Sequence, residues 1–208
     1  MNIRIKKNLS DDVIKIFNKL STPQKAQDYI NTIPMRHDEN EPIVRSPLHT
    51  IHAHEASCIE GAMLACTILA YHGYDTYLLD LKVDVRNTAD CDHVVALFKK
   101  DGYVGAISKT THAVLRYREP IYKSVRELAM TYFHEYFLDN GKKTLRSFSN
   151  RFDIFKKFGY NWIGSERDLY EIACALDNSP HTTILSPSMI RNLRNADPIE
   201  IAAGKIKE

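Results

Sequence analysis

The spacing of hydrophobic positions changes several times along the chain, and each change marks an element. Ile3 to Leu20 is mixed and carries no single period. Ser21-Thr22-Pro23-Gln24 reads as a helix start, with proline near the first helical position, and the helix is expected to run to about Ile33, where Pro34 stops it. Residues 36–47 are charged, contain Pro42 and Pro47, and read as a loop. Ser46-Pro47 opens a short helix through Leu48, Ile51 and His52.

The strongest pattern follows. Ser57-Cys58-Ile59-Glu60 has the S-x-x-E form of a capping box, directly before Ala62, Met63, Leu64, Ala65, Ile68 and Leu69. That helix is apolar on most sides, so it is expected at the centre of the core, ending at Gly73. Thr76 to Val83 reads as a strand, and Asp92 to Phe98 as a second strand that is apolar on both faces. The turn Lys99-Lys100-Asp101-Gly102 returns the chain through Tyr103 to Ser108 as a hairpin partner. A second capping box, Ser124-Val125-Arg126-Glu127, starts a helix reaching about Leu138. Beyond Asn140-Gly141 the pattern gives a short strand near Leu145 to Phe148 and helices near Asp168 to Leu176 and Ser188 to Asn195. The expectation is an α+β fold in a single domain, 1–208. Residues 45–140 form a core with a buried helix on an antiparallel sheet, and 141–208 a mostly helical extension.

Composition narrows the class. With 44% hydrophobic and 26% charged residues the chain has the make-up of an ordinary globular protein, and 208 residues bury a real core. A formal net charge of +2 gives no reason to invoke nucleic acid or an acidic membrane surface. The basic start, Met1 to Ser10, leads into Asp11-Asp12 rather than an apolar run, so neither a secretory signal nor a membrane span is expected. Cys58, Cys66, Cys91 and Cys174 are too few and too irregular for a disulfide scaffold, and are expected as reduced thiols in a cytoplasmic protein.

The candidate chemistry centres on Cys58. As the first residue of a buried helix, its sulfur meets unpaired N–H groups and the positive end of the helix dipole, which favour thiolate. The same N–H groups suit the oxyanion formed when sulfur attacks an amide or ester carbonyl. Acyl transfer also needs a histidine to take and return the proton, and His93 lies on the apolar strand that follows. A cysteine at a helix start and a histidine on a strand are each more often structural. What gives specificity is the order: capped cysteine, long apolar helix, strand, histidine-bearing strand, tight turn, return strand.

The run Ala56-Ser57-Cys58-Ile59-Glu60-Gly61-Ala62, the Gly73-Tyr74 helix exit and Asp92-His93-Val94-Val95-Ala96-Leu97-Phe98 resemble the core of the transglutaminase-like superfamily, over roughly residues 45–115. That superfamily includes transglutaminases, peptide N-glycanases and bacterial cysteine proteases with a Cys-His-Asp order. The resemblance implies a papain-like core with Cys58 as nucleophile and His93 as general base and acid. The chain departs from it at the third member. Where the family has an aspartate, usually before proline and threonine, the return strand reads Tyr103-Val104-Gly105-Ala106-Ile107-Ser108-Lys109-Thr110. If Phe98 pairs with Tyr103, His93 lies opposite Ser108. With a tighter Asp101-Gly102 turn it lies opposite Thr110. Either hydroxyl can orient the ring, but neither supplies the negative charge that supports an imidazolium.

Other clusters are weaker. His49, His52 and His54, with Glu55, lack any CxxC or HExxH companion and are expected to line the approach to Cys58 rather than hold a metal. His112 is a reserve base, while His134-Glu135 is expected to be structural. Asp92 falls on the opposite strand face from His93 and is discounted as its orienting group. Cys66 and Cys174 are expected in the core; Cys91 and Trp162 have no assigned role. No cofactor or metal is expected.

Two functional classes follow. The first is an enzyme acting on a peptide, protein or small-molecule amide or ester through a Cys58 thioester, released to water (protease, amidase or deamidase) or to an amine (transglutaminase). The second is a binding or scaffold protein that kept the fold and lost the chemistry, with Ser108 the mark of the loss. The first is preferred because Cys58 and His93 both stand in place. Neither nucleic acid nor membrane is expected as a partner, and the sequence does not fix an oligomeric state.

Overall fold

A computed structural model of the chain describes residues 2–36, 43–84 and 90–206. Helices α1 (Ile3–Lys6), α2 (Asp11–Lys19), α3 (Pro23–Asn31), α4 (Pro47–Ala53) and α5 (Cys58–Tyr71) precede strands β1 (Thr76–Val83), β2 (His93–Lys100), β3 (Tyr103–Ser108) and β4 (Arg118–Tyr122). Then come α6 (Val125–Phe133), β5 (Leu145–Ser149), α7 (Ile154–Phe158), α8 (Tyr170–Asp177), β6 (His181–Thr183), α9 (Pro187–Arg191) and α10 (Pro198–Gly204). The strands form one antiparallel sheet in the order β4-β3-β2-β1-β5-β6. Mixed helix and antiparallel sheet is thus the observed class. Segment 141–208 is woven into it, because β5 pairs with β1 and β6 with β5.

Alternation along the strands puts a different core on each face. Leu78, Val94, Ala96, Phe98 and Ile107 pack against α5, whose residues from Ile59 to Tyr71 are all buried. Leu79, Leu81, Val95, Leu97, Val104 and Ala106 pack on the other face against Leu128, Ala129, Tyr132 and Phe133 of α6. A helix apolar all round fits this position, buried by the sheet on one side and by α1–α4 on the others.

The β2–β3 register decides where the candidate residues fall. Asp101 and Gly102 both have positive φ (52° and 86°), so the tighter two-residue turn is the one formed, with Lys100 opposite Tyr103. Ser108 then stands opposite Val95, and reaches His93 diagonally on the face of the sheet that carries α6.

Several elements go beyond the hydrophobic pattern. α2 is built on little more than Val13 and Phe17, four residues apart. β4 is an edge strand that contains Pro120, which only an edge tolerates. α6 stops at Phe133, short of Leu138.

Gly61 lets the first turn of α5 dock onto the end of β3. A Cβ there would lie 2.4 Å from Lys109 Cβ and 2.9 Å from Lys109 Cγ. Gly61→Ala should therefore destabilise the protein by about 1–3 kcal/mol in urea unfolding, the overpacking outweighing roughly 0.5–1 kcal/mol gained from helix propensity. A more stable Gly61→Ala protein would contradict this packing.

Candidate active site

The start of α5 is fixed by a buried carboxylate. Glu60 is fully buried and accepts Arg36 Nη2–H at 2.8 Å, Arg36 Nε–H at 3.3 Å, the Arg45 N–H at 2.7 Å and the Ser57 N–H at 2.8 Å. The Glu60 half of the capping box is made by that Ser57 N–H, while Ser57 Oγ is buried without a hydrogen-bond partner among the described residues. Cys58 follows as the first helical residue, half-buried.

Cys58 and His93 line one cavity of about 830 Å³, with Ser57, Cys91, Thr110, His112, Leu115 and Tyr136 among its walls. A second cavity of similar volume, beside Arg151, Lys156, Lys157 and Cys174, holds a thiol but no histidine.

Hydrogen bonding assigns the His93 tautomer. His93 Nε2 lies 2.8 Å from Ser108 Oγ, and Ser108 Oγ–H donates to the Leu115 carbonyl at 2.7 Å. A hydroxyl has one hydrogen, so Ser108 must accept from His93 Nε2–H, and neutral His93 has its lone pair on Nδ1. Gln27 holds Ser108 in place from α3: its Oε1 accepts the Ser108 N–H and its Nε2–H donates to the Ser108 carbonyl, both at 2.9 Å. Thr110, the other candidate hydroxyl, instead accepts the His112 N–H.

Burial sets the resting charges. It pushes the Cys58 thiol up, against hydrogen bonds from the backbone of Val94 and Ile59 that pull it down. Helix-start N–H groups favour thiolate, as expected, but desolvation outweighs them. Burial, with His112 nearby, pushes His93 down to about 4. The pair rests as neutral thiol and neutral imidazole.

The remaining candidates fall elsewhere. His49, His52 and His54 are exposed, and none lines the Cys58 cavity; His52 Nε2 lies 4.0 Å from Asp12. α4 ends in a left-handed residue at His54. His112 does line the cavity. Cys66 is buried as expected, its thiol pushed up to about 12 by burial, whereas Cys174 is half-buried and Cys91 exposed. All four thiols are free. Asp92 is half-buried at the cavity and accepts the Val83 N–H.

One group of residues carried no local signal. Asp80, buried on β1, places Oδ2 3.1 Å from His181 Nε2, while its Oδ1 has no hydrogen-bond partner among the described residues. Oxygens of Asp80, Asp92 and Asp177 come within 4.8 Å of one another, and Lys82 Nζ bonds Asp177 and supplies a positive charge. Burial first, then Asp92, pushes Asp80 up to about 6.

No family model matches the chain, and no curated protein matches it in sequence. Among the described residues no helix is long and apolar enough to cross a membrane.

Two buried groups give stability opposite pH dependences. His93, lowered from 6.5 to about 4, contributes fully above pH 6.5, and that contribution is lost as pH falls toward 4. Asp80, raised from 3.8 to about 6, takes up its proton in the folded state first, so it adds stability as pH falls from about 6 to about 4. Between these limits the two slopes nearly cancel. Relative to wild type, Asp80→Asn should lose an extra ~2 kcal/mol (about 1.4 kcal/mol per pH unit) between pH 6.5 and 4.5, and His93→Gln should gain about as much. Urea unfolding at the two pH values measures this; parallel behaviour of the two variants would contradict it.

Proposed function

We propose that the chain is a cysteine-nucleophile acyl-transfer enzyme with a transglutaminase-like core, acting on an amide or ester through a Cys58 thioester. The observation that carries this reading is the Leu115–Ser108–His93 relay. It leaves His93, on the wall of the cavity that also holds a cysteine at a helix start, with an unprotonated Nδ1. In this reading α5 supplies the nucleophile, β2 the base and β3 the orienting hydroxyl.

In this mechanism Cys58 attacks the carbonyl carbon while its proton passes to His93 Nδ1, so no standing ion pair is needed. N–H groups at the start of α5 face the developing oxyanion. His93 then returns the proton to the leaving amine or alcohol, and water or an amine resolves the thioester. Ser108 takes the place of the aspartate. It supplies no charge itself, but its hydroxyl is polarised by the Leu115 carbonyl, whose partial negative charge supports the imidazolium through the relay. Aspartate at 108 is not equivalent to this serine, because a carboxylate cannot donate to Leu115.

A scaffold function is the second reading, favoured by the absence of a carboxylate on the His93 ring among the described residues and by the raised thiol. Electrophile labelling mapped to each cysteine separates the two. For the enzyme, His93→Gln should slow labelling of Cys58 by about 10²-fold and Ser108→Ala by about tenfold, with exposed Cys91 unchanged as the internal reference. The acid limb of the wild-type Cys58 rate should fall near pH 4 rather than 6.5. Cys58 labelling that ignores both substitutions would establish the scaffold.

A further inference from the structure

The charge on the walls of the Cys58 cavity is one-sided. Asp90, Asp92, Glu135 and Asp139 line it, and among the described residues no lysine does. Glu135 is paired with Arg118. The Asp90 and Asp92 carboxylates are held in place by neutral donors: Cys91 N–H and Thr144 Oγ–H bond Asp90, and the Val83 N–H bonds Asp92. These bonds fix the oxygens without cancelling their charge, which nearby Lys82 offsets only in part at Asp92. Among the described residues one arginine stands on the wall, Arg36, and it is forked onto the fully buried Glu60, so its charge is offset there. A chain of formal charge +2 has therefore gathered carboxylates around its candidate nucleophile.

This arrangement does nothing for Cys58 itself, since carboxylates near a thiol disfavour its thiolate. It acts on what enters. In a cleft walled by protein, like charges sum to a local potential that concentrates cations and repels anions, and salt weakens the effect.

Resting on the reading of Cys58 as nucleophile, we infer that the substrate is cationic: an amide or ester with an ammonium or guanidinium group, such as a peptide with lysine or arginine beside the scissile carbonyl. The positive group sits against Asp90, Asp92 and Asp139, while the carbonyl carbon meets Cys58. Neutral acyl groups enter without this gain, and acidic ones are excluded.

Methanethiosulfonates of different charge test this without a known substrate. The Cys58 thiolate attacks the sulfenyl sulfur, a mixed disulfide forms, methanesulfinate leaves, and the thiol proton passes to His93 or water. Rates at Cys58, separated from Cys91 by peptide mass mapping, are compared for the trimethylammonioethyl, sulfonatoethyl and methyl reagents. Each is divided by its rate with free 2-mercaptoethanol. The normalised cation-to-anion ratio should be about tenfold or more at low salt, fall severalfold at 0.5 M salt, and drop in Asp90→Asn/Asp139→Asn. The methyl reagent should react with that variant at least as fast as with wild type, because fewer carboxylates favour the Cys58 thiolate, and the cation-to-anion ratio cancels this common gain. A normalised ratio near one, or above one for the anion, overturns the inference and leaves the nucleophile reading standing. Failure of the neutral methyl reagent to reach Cys58 overturns both.

Discussion

A carboxylate with no exposed surface, three residues into an apolar helix, is the constraint on which the site depends. Left unpaired it would cost several kcal/mol, and removing one partner of such a pair typically costs 3–5 kcal/mol. Glu60 is met by two N–H groups of Arg36 and by the backbone of Arg45 and Ser57. Four donors saturate its two oxygens. The segments before and after α4 are thereby tied to the helix start, and Cys58 has one place to be. Arg36 serves two ends at once: it neutralises Glu60, and in doing so leaves the cavity wall to the carboxylates.

His93 depends on a second arrangement of the same kind. Gln27 occupies both backbone polar groups of Ser108 just where β3 ends, acting as one further residue of pairing. Ser108 is then free to use its hydroxyl in only one way, donating to Leu115 and accepting from His93. The helix on one face of the sheet and the histidine on the other meet in one cavity because β3 stops there. Gly61 allows the close docking of α5 against Lys109 at that point.

What the chain made legible was local. β1 and β3 have the limits their patterns indicate, and the capped start of α5 follows from Ser57 and Glu60 three positions apart in the box. The short strands β4 and β6 were hidden, one by its proline and the other by its three-residue length, because pairing rather than pattern makes them strands. Long-range polar partners were hidden altogether. Gln27 and Ser108 are 81 residues apart, and Asp80 and His181 are 101 apart. Glu60 was readable as a cap, yet nothing nearby in the sequence shows that it is buried on Arg36. The hydroxyl beside His93 was legible as a pair of alternatives: the two-residue turn is the one that pointed to Thr110, yet Ser108, opposite Val95 and held by Gln27, takes the bond diagonally and Thr110 goes to His112.

The central claim is that Ser108 holds His93 as the Nε2–H tautomer, with its free Nδ1 available for the Cys58 proton. Long-range proton–nitrogen correlation on histidine-labelled protein at pH 7 reads this directly. The account predicts a His93 ring with protonated Nε2 and unprotonated Nδ1, becoming a mixture of tautomers in Ser108→Ala. A His93 ring protonated on Nδ1, or one unchanged by Ser108→Ala, would contradict it.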